Sequence, residues 1–145
     1  MKNESTLRKS LLAVALSCAG ILATGAAPSF AKDMALTLAG DQEVPAVTTT
    51  ASGTGTITVN DDKSVSGSVM TKGINASAAH IHEGAKGKNG PVIIPLTKSG
   101  DNTFTVPAGT KLTDAQMESL KSGNLYVNVH SAANPGGEIR AQLGP

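Results

Sequence analysis

The sequence predicts an all-β fold, a Greek-key sandwich with one short helix. Short segments in which apolar and polar residues alternate are separated by clusters of Gly, Pro, Asn and Asp, a pattern typical of strands joined by turns. Trp is absent and the chain has two Phe and one Tyr, so branched aliphatic side chains must fill the core, and these favour strands. The length of 145 residues fits one domain.

Eight strands are expected from the alternation. The first two contain Met34–Leu38 and Thr54–Val59, and the turn at Asn60–Asp62 predicts a hairpin into a third strand at Val65–Val69. The other five are predicted at Ala78–Glu83, Val92–Leu96, Thr103–Val106, Leu125–Ser131 and Glu138–Leu143. Short strands with frequent turn signals are typical of a sandwich with Greek-key connections.

Residues 112–123 differ from the rest because they carry helix start and stop signals. Thr113 is the predicted N-cap, Gln116 stands three residues later as its capping-box partner, and a glycine follows the segment as a left-handed exit. Met117 and Leu120 are expected to face the core. We interpret this helix as a structural element that covers one end of the sandwich.

An export signal is predicted in residues 1–31. Three basic residues among the first nine precede an apolar run from Leu11 to Leu22, which is too short to span a bilayer. Small residues at Ser29 and Ala31 suit signal peptidase, so cleavage is predicted after Ala31. The expected product is a periplasmic or secreted domain at 32–145 with no membrane anchor.

A lipoprotein attached through Cys18 is the alternative, although the residues before this cysteine match a lipobox poorly. Cleavage after Ala31 removes this sole cysteine, so the domain must fold without disulfides. It leaves nine Lys and Arg against ten Asp and Glu. A nearly neutral chain with few aromatic rings excludes a nucleic-acid binder that depends on phosphate contacts and base stacking.

All three histidines lie in two predicted strands. His80 and His82 are two residues apart, so they project from the same strand face. Alternation with Val127 and Val129 places His130 on the polar face of the later strand. If the two strand ends meet, three neutral imidazoles surround one ion, a ligand set suited to Cu(II), Zn(II), Ni(II) or Fe(II). Solvated surface histidines are the alternative interpretation.

Two carboxylates are candidates for completing such a site. Glu43 and Glu83 could each supply a fourth ligand or accept a hydrogen bond that orients an imidazole. Water is the third candidate for the fourth position. Both residues are also explained as turn or surface carboxylates.

Four segments form a recognisable pattern: Leu38–Pro45 (LAGDQEVP), His80–Val92 (HIHEGAKGKNGPV), Gly123–His130 (GNLYVNVH) and Asn134–Leu143 (NPGGEIRAQL). Together they resemble the chordin-type CHRD domain. The resemblance covers about residues 34–143 and implies a β-sandwich. In bacteria it also implies a secreted or periplasmic single-domain protein, but the family carries no general reaction.

A more distant resemblance is to copper-zinc superoxide dismutase, in which a His-x-His-Glu strand and a later strand ending in His supply copper ligands. His80, His82 and His130 match these positions, so the sandwich is expected to be immunoglobulin-like or superoxide-dismutase-like. Arg140 would correspond to the arginine that guides the anion, although we expect its planar fork of donors to brace loops. A fourth histidine, a zinc loop and a cysteine pair in the mature chain are all missing.

The leading hypothesis is an exported domain that binds a transition metal, with copper favoured and zinc as the alternative. The protein would then be a binding module rather than an enzyme, because no Gly-x-Ser-x-Gly elbow or His-Glu-x-x-His helix is present. An extracellular interaction or matrix module without metal is one alternative. A superoxide-dismutase-like copper enzyme is another. No catalytic residue and no protein partner is assigned.

Overall fold

A computed structural model describes residues 31–144, and in it two antiparallel sheets form a sandwich. The nine strands are β1 (Ala31–Leu38), β2 (Ser52–Asn60), β3 (Val65–Lys72), β4 (Ala76–Glu83), β5 (Val92–Pro95), β6 (Thr97–Gly100), β7 (Thr103–Thr105), β8 (Leu125–Ser131) and β9 (Ile139–Leu143). Sheet A has the order β1-β2-β3-β7-β6, and sheet B has the order β5-β4-β8-β9. The predicted all-β sandwich with one short helix is confirmed.

Strand β6 was not predicted. Its four residues are all exposed, and it lies at an edge of sheet A, where it pairs with β7 alone. A strand with both faces in solvent needs no apolar alternation, so the periodicity that predicted the other eight strands is absent from it.

The core lies between the inner faces of the two sheets. It is built from aliphatic side chains with one large aromatic residue, Phe104, which is almost fully buried. The most deeply buried aliphatic members are Leu38, Ile57, Val69, Ile81, Leu125, Val127, Val129, Ile139 and Leu143. Each contributes about 1.5–3 kcal/mol by leaving water, which is how a domain without disulfides is held together.

The helix α1 (Asp114–Lys121) forms as predicted. The Thr113 side chain accepts a hydrogen bond from the Gln116 backbone N–H, and the Gln116 side chain accepts one from the Thr113 N–H. Both bonds satisfy N–H groups that a helix start leaves without partners. Leu120 is buried and Met117 is partly buried against the core.

The outer face of sheet B is covered rather than solvated. The polar residues of β8 that alternate with the core positions include Tyr126 and Asn128, and both are buried. Two segments lie over this face: the 84–91 loop, which connects β4 to β5, and the 39–47 segment, which contains a short 3-10 turn at Gly40–Gln42. They meet where the Asn89 side chain donates a hydrogen bond to the Val44 carbonyl.

The predicted signal peptide lies, apart from Ala31, outside the described residues, so its cleavage stays a prediction. Within residues 31–144, no helix is long and apolar enough to cross a membrane.

Candidate metal centre

The pairing of β4 with β8 brings the three histidines together. These strands are antiparallel neighbours, with His80 opposite Asn128 and His130 opposite Ala78. His130 is therefore diagonal to His80 on the same face, a separation that long side chains can bridge. One ring nitrogen from each of His80, His82 and His130 lies within 4.8 Å of the other two. The expectation that the two strand ends meet is wrong, because the strands are antiparallel and the end of β8 pairs with the start of β4. The histidines meet because His80 lies within β4 rather than at its end.

Main-chain carbonyls orient two of the three imidazoles. The Nδ1 of His82 lies 2.9 Å from the Gly90 carbonyl oxygen, and the Nδ1 of His130 lies 2.9 Å from the Pro135 carbonyl oxygen. A carbonyl can only accept, so both Nδ1 atoms carry the proton and both Nε2 atoms offer a lone pair. Such outer hydrogen bonds are what fixes the tautomer of a metal-binding histidine.

His80 completes the group through its Nδ1 atom. This atom lies 2.9 Å from His130 Nε2, which is a lone-pair acceptor, so His80 Nδ1 donates in the metal-free protein. A metal ion would replace this N–H···N bond by taking both nitrogens as ligands. The His80 proton would then reside on Nε2, because a neutral imidazole carries one N–H.

The Nε2 of His82 is the most unusual atom of the group. His82 is 7% exposed, and its Nε2 is buried with no hydrogen-bond partner among the described residues. Leaving a buried acceptor unsatisfied costs about 1–3 kcal/mol. One ring nitrogen of His82 lies within 4.8 Å of ring nitrogens of His80 and His130, so a cation held between the three imidazoles is a suitable partner.

Burial also favours the neutral form of the imidazoles. The pKa of His80 is lowered, chiefly by desolvation and further by the neighbouring His130 and His82. The pKa of His82 is lowered by desolvation as well, against the opposing hydrogen bond to the Gly90 carbonyl. Both imidazoles are therefore neutral at neutral pH, which coordination of a metal ion would require.

The next layer consists of an aromatic ring and a buried cation. The Tyr126 ring stacks on His82 with ring centroids 4.8 Å apart and planes 8° from parallel. On the neighbouring strand β9, the Arg140 Cζ atom lies 3.4 Å from the Tyr126 ring centroid. The Arg140 fork donates to main-chain carbonyls of the 84–91 loop, so it braces that loop as expected and does not meet anions from solvent.

The segments that build this face are the ones with a recognisable sequence pattern. The family model of the CHRD domain matches residues 34–143, which is most of the chain. The chain belongs to the CHRD domain family. It has no significant match among the curated proteins or among the solved structures.

Neither predicted carboxylate belongs to the histidine group of this CHRD domain. Glu83 is adjacent to His82 and therefore projects from the opposite face of β4, where it accepts a hydrogen bond from Ser119 of α1 at 2.5 Å. Glu43 is buried on the correct side of the sheet, but it lies beside Asn128 and Arg140 rather than among the histidines. The alternative of a turn or surface carboxylate fits Glu43 in part, because it directly follows the 3-10 turn at Gly40–Gln42, although it is buried.

Glu43 has an unusual charge state. Burial raises its pKa to about 7, against the lowering effects of the nearby Arg140 guanidinium and the Asn128 side chain. Its Oε1 atom and the Asn128 Oδ1 atom are buried without a hydrogen-bond partner in the described part of the chain. The Asn128 side chain affects the pKa of both Glu43 and His82, so it lies close to each of them and connects the two groups.

The groups that orient the three imidazoles were not predicted from the sequence. Tyr126 and Asn128 could be placed on the His130 face by alternation, but their burial depends on loops distant in sequence. The carbonyls of Gly90 and Pro135 leave no mark in the side-chain pattern. Together these groups build a rigid, partly buried set of three imidazole nitrogens on one sheet of the CHRD domain.

Proposed function

We propose that this CHRD domain is an exported binding module that holds one transition-metal ion through His80, His82 and His130. The observation that carries the proposal is the grouping of the three histidines, in which one ring nitrogen from each lies within 4.8 Å of the other two. The buried Nε2 of His82, which has no hydrogen-bond partner in the described part of the chain, supports it. The predicted signal in residues 1–31 supports export to the periplasm or beyond the cell.

Copper is the favoured ion and zinc is the alternative. The proposed ligands are all imidazoles, which suit both ions, and divalent copper binds nitrogen ligands more tightly than the other first-row divalent metals. Bound copper would supply a redox-active centre, whereas zinc would supply a Lewis acid alone. The chain's own contribution is to hold three neutral nitrogens and to limit access of water to them.

The test is a calorimetric titration of the tag-free protein with Cu(II) and with Zn(II). The wild-type protein should bind one Cu(II) with better than micromolar affinity. His80→Ala, His82→Ala and His130→Ala should each weaken binding at least about 100-fold, because two imidazoles leave an incomplete shell. Thr54→Ala, an exposed change on sheet A, is the matched control and should bind as the wild type does.

The opposite result would favour an interaction module. If the wild type binds no better than micromolar, or if the three histidine variants bind like Thr54→Ala, the metal site is wrong. Mass spectrometry of protein from the cell envelope tests export separately and should find an N-terminus at or near Lys32. An acylated Cys18 would contradict the predicted cleavage.

A further inference from the structure

Arg140 is a fully charged side chain that is only 1% exposed. Burying a guanidinium costs several kcal/mol unless its donors are satisfied. Its Nη2 donates to the Lys88 carbonyl at 2.8 Å and makes longer contacts to the Ala85 carbonyl and the Gln142 side chain, both at 3.4 Å. Its Nη1 donates to the Asn89 side-chain oxygen at 3.2 Å. Most of these acceptors belong to the 84–91 loop.

The same loop supplies the atom that orients His82. The Gly90 carbonyl accepts from His82 Nδ1, and the Gly90 N–H donates to the Tyr126 hydroxyl at 3.0 Å. Gly90 packs closely against the end of β4, since a Cβ there would lie 1.7 Å from the Glu83 carbonyl oxygen. The loop that carries it is held by the main-chain bond from the Glu83 N–H to the Pro91 carbonyl and, at Lys88 and Asn89, by Arg140.

His130 offers an internal comparison. Its Nδ1 donates to the carbonyl of Pro135, which lies in the turn between β8 and β9. The side-chain hydrogen bonds of Arg140 go to the 84–91 loop and to Gln142, not to this turn. Two histidines of the same group thus have the same tautomer, and only His82 is bonded to the loop that Arg140 contacts.

We propose that Arg140 is a positioning residue for the metal centre, because it fixes the 84–91 loop and so keeps the Gly90 carbonyl where it holds His82 Nε2 free. The effect of Arg140 on metal affinity rests on the proposed function. Its effect on the His82 tautomer does not, since that tautomer exists in the metal-free protein. A buried charge that only stabilised the fold would affect both histidines alike.

The experiment reads histidine tautomers by long-range proton–nitrogen NMR of 15N-labelled, metal-free protein. In the wild type, His82 and His130 should both show the Nδ1–H pattern. In Arg140→Lys, which lacks the planar fork, His82 should shift toward a mixture of tautomers while His130 keeps its pattern. Lys111→Gln, which removes a surface ion pair with Asp62 in the turn between β2 and β3, should change neither histidine.

A second variant covers the case in which Arg140→Lys does not fold. Asn89 is exposed, so Asn89→Ala should fold while removing the acceptor of Arg140 Nη1 and the bond from the loop to Val44. It should shift the His82 tautomer in the same direction. An unchanged His82 pattern in the folded variants would overturn the proposal, as would equal changes in His82 and His130.

Metal binding supplies the second readout. Arg140→Lys or Asn89→Ala should weaken Cu(II) binding about 10-fold, the low end of the usual range for a residue that orients a metal ligand. The paramagnetic resonance spectrum of the bound Cu(II) should also change, whereas in Lys111→Gln it should not. A changed His82 tautomer with an unchanged affinity and spectrum would contradict the role of Arg140 at the metal centre. If neither the wild type nor any variant binds Cu(II), the proposed function fails. The tautomer result still tests whether Arg140 positions the 84–91 loop.

Discussion

The outer faces of the two sheets have opposite characters. On sheet A, the outward positions of β2 and β3 carry mainly small hydroxyl residues, with Lys72 and Met70, which is 60% exposed, and most of them are in contact with solvent. On sheet B, the outward positions carry imidazole, phenol, amide and guanidinium groups that are covered by the 84–91 loop and the 39–47 segment. Polar groups on the first face remain in water, whereas those on the second face are costly to bury.

This difference indicates which sheet of the sandwich carries the candidate binding site. The inner faces of the two sheets pack into one apolar core, so the sheets do not differ in character on that side. A fold that needed only stability would leave the outer face of sheet B as simple as that of sheet A. The buried Nε2 of His82 and the buried Arg140 guanidinium instead indicate that the candidate binding site lies on the outer face of sheet B.

The largest expected effect comes from removing the buried cation. Arg140→Ala should lower the free energy of unfolding by about 3–5 kcal/mol, because the acceptors of the 84–91 loop lose their donor. Thr56→Ala on sheet A should change it by less than about 0.5 kcal/mol. Urea denaturation followed by circular dichroism measures both. Equal losses in the two variants would remove the distinction between the faces.

A smaller effect, of known sign, is expected from Glu43. The pKa of this carboxyl is raised to about 7 from its ordinary 4.5, so the folded protein holds a proton that the unfolded chain releases. The stability from Glu43 is therefore complete below pH 4.5 and is lost as the pH rises through 7.

The matched variant is Glu43→Gln, which removes this titration. At pH 8 it should be more stable relative to the wild type than at pH 4.5, by on the order of 2 kcal/mol. Thermal unfolding of both proteins across this pH range gives the difference. A difference that stays constant with pH would contradict the assigned charge state.

The smallest effect is expected from Glu83, although it is next to His82 in sequence. Glu83→Gln should weaken the bond from Ser119 and cost about 1 kcal/mol of stability. It should leave Cu(II) affinity within about threefold of the wild type, because the side chain projects from the other face of β4. A large loss of affinity would show that position along the chain matters more than the strand face.

Much of this arrangement could be predicted from the sequence because it follows from local periodicity. Alternation placed His80 and His82 on one face, the capping residues located α1, and the planar donors of Arg140 indicated a loop brace. The same alternation places Glu83 on the opposite face from His82, so the sequence alone already argues against Glu83 as a fourth ligand.

The covered state of the face could not be predicted in this way. The burial of Tyr126 and Arg140 depends on segments 35 or more residues away, and no local pattern records how those segments fold back. The unpaired His82 Nε2 and the raised pKa of Glu43 follow from that cover. Edge strand β6 escaped prediction for the opposite reason, since exposure on both faces removes any pattern.

The proposed metal centre is tested most directly by counting the nitrogen ligands of bound copper. Tag-free protein loaded with one equivalent of Cu(II) should give a pulsed paramagnetic resonance spectrum with three coordinated imidazoles. Each single His→Ala variant should lose one of them. A spectrum with one imidazole or none in the wild type, or one that is unchanged in the variants, would contradict a metal centre at His80, His82 and His130.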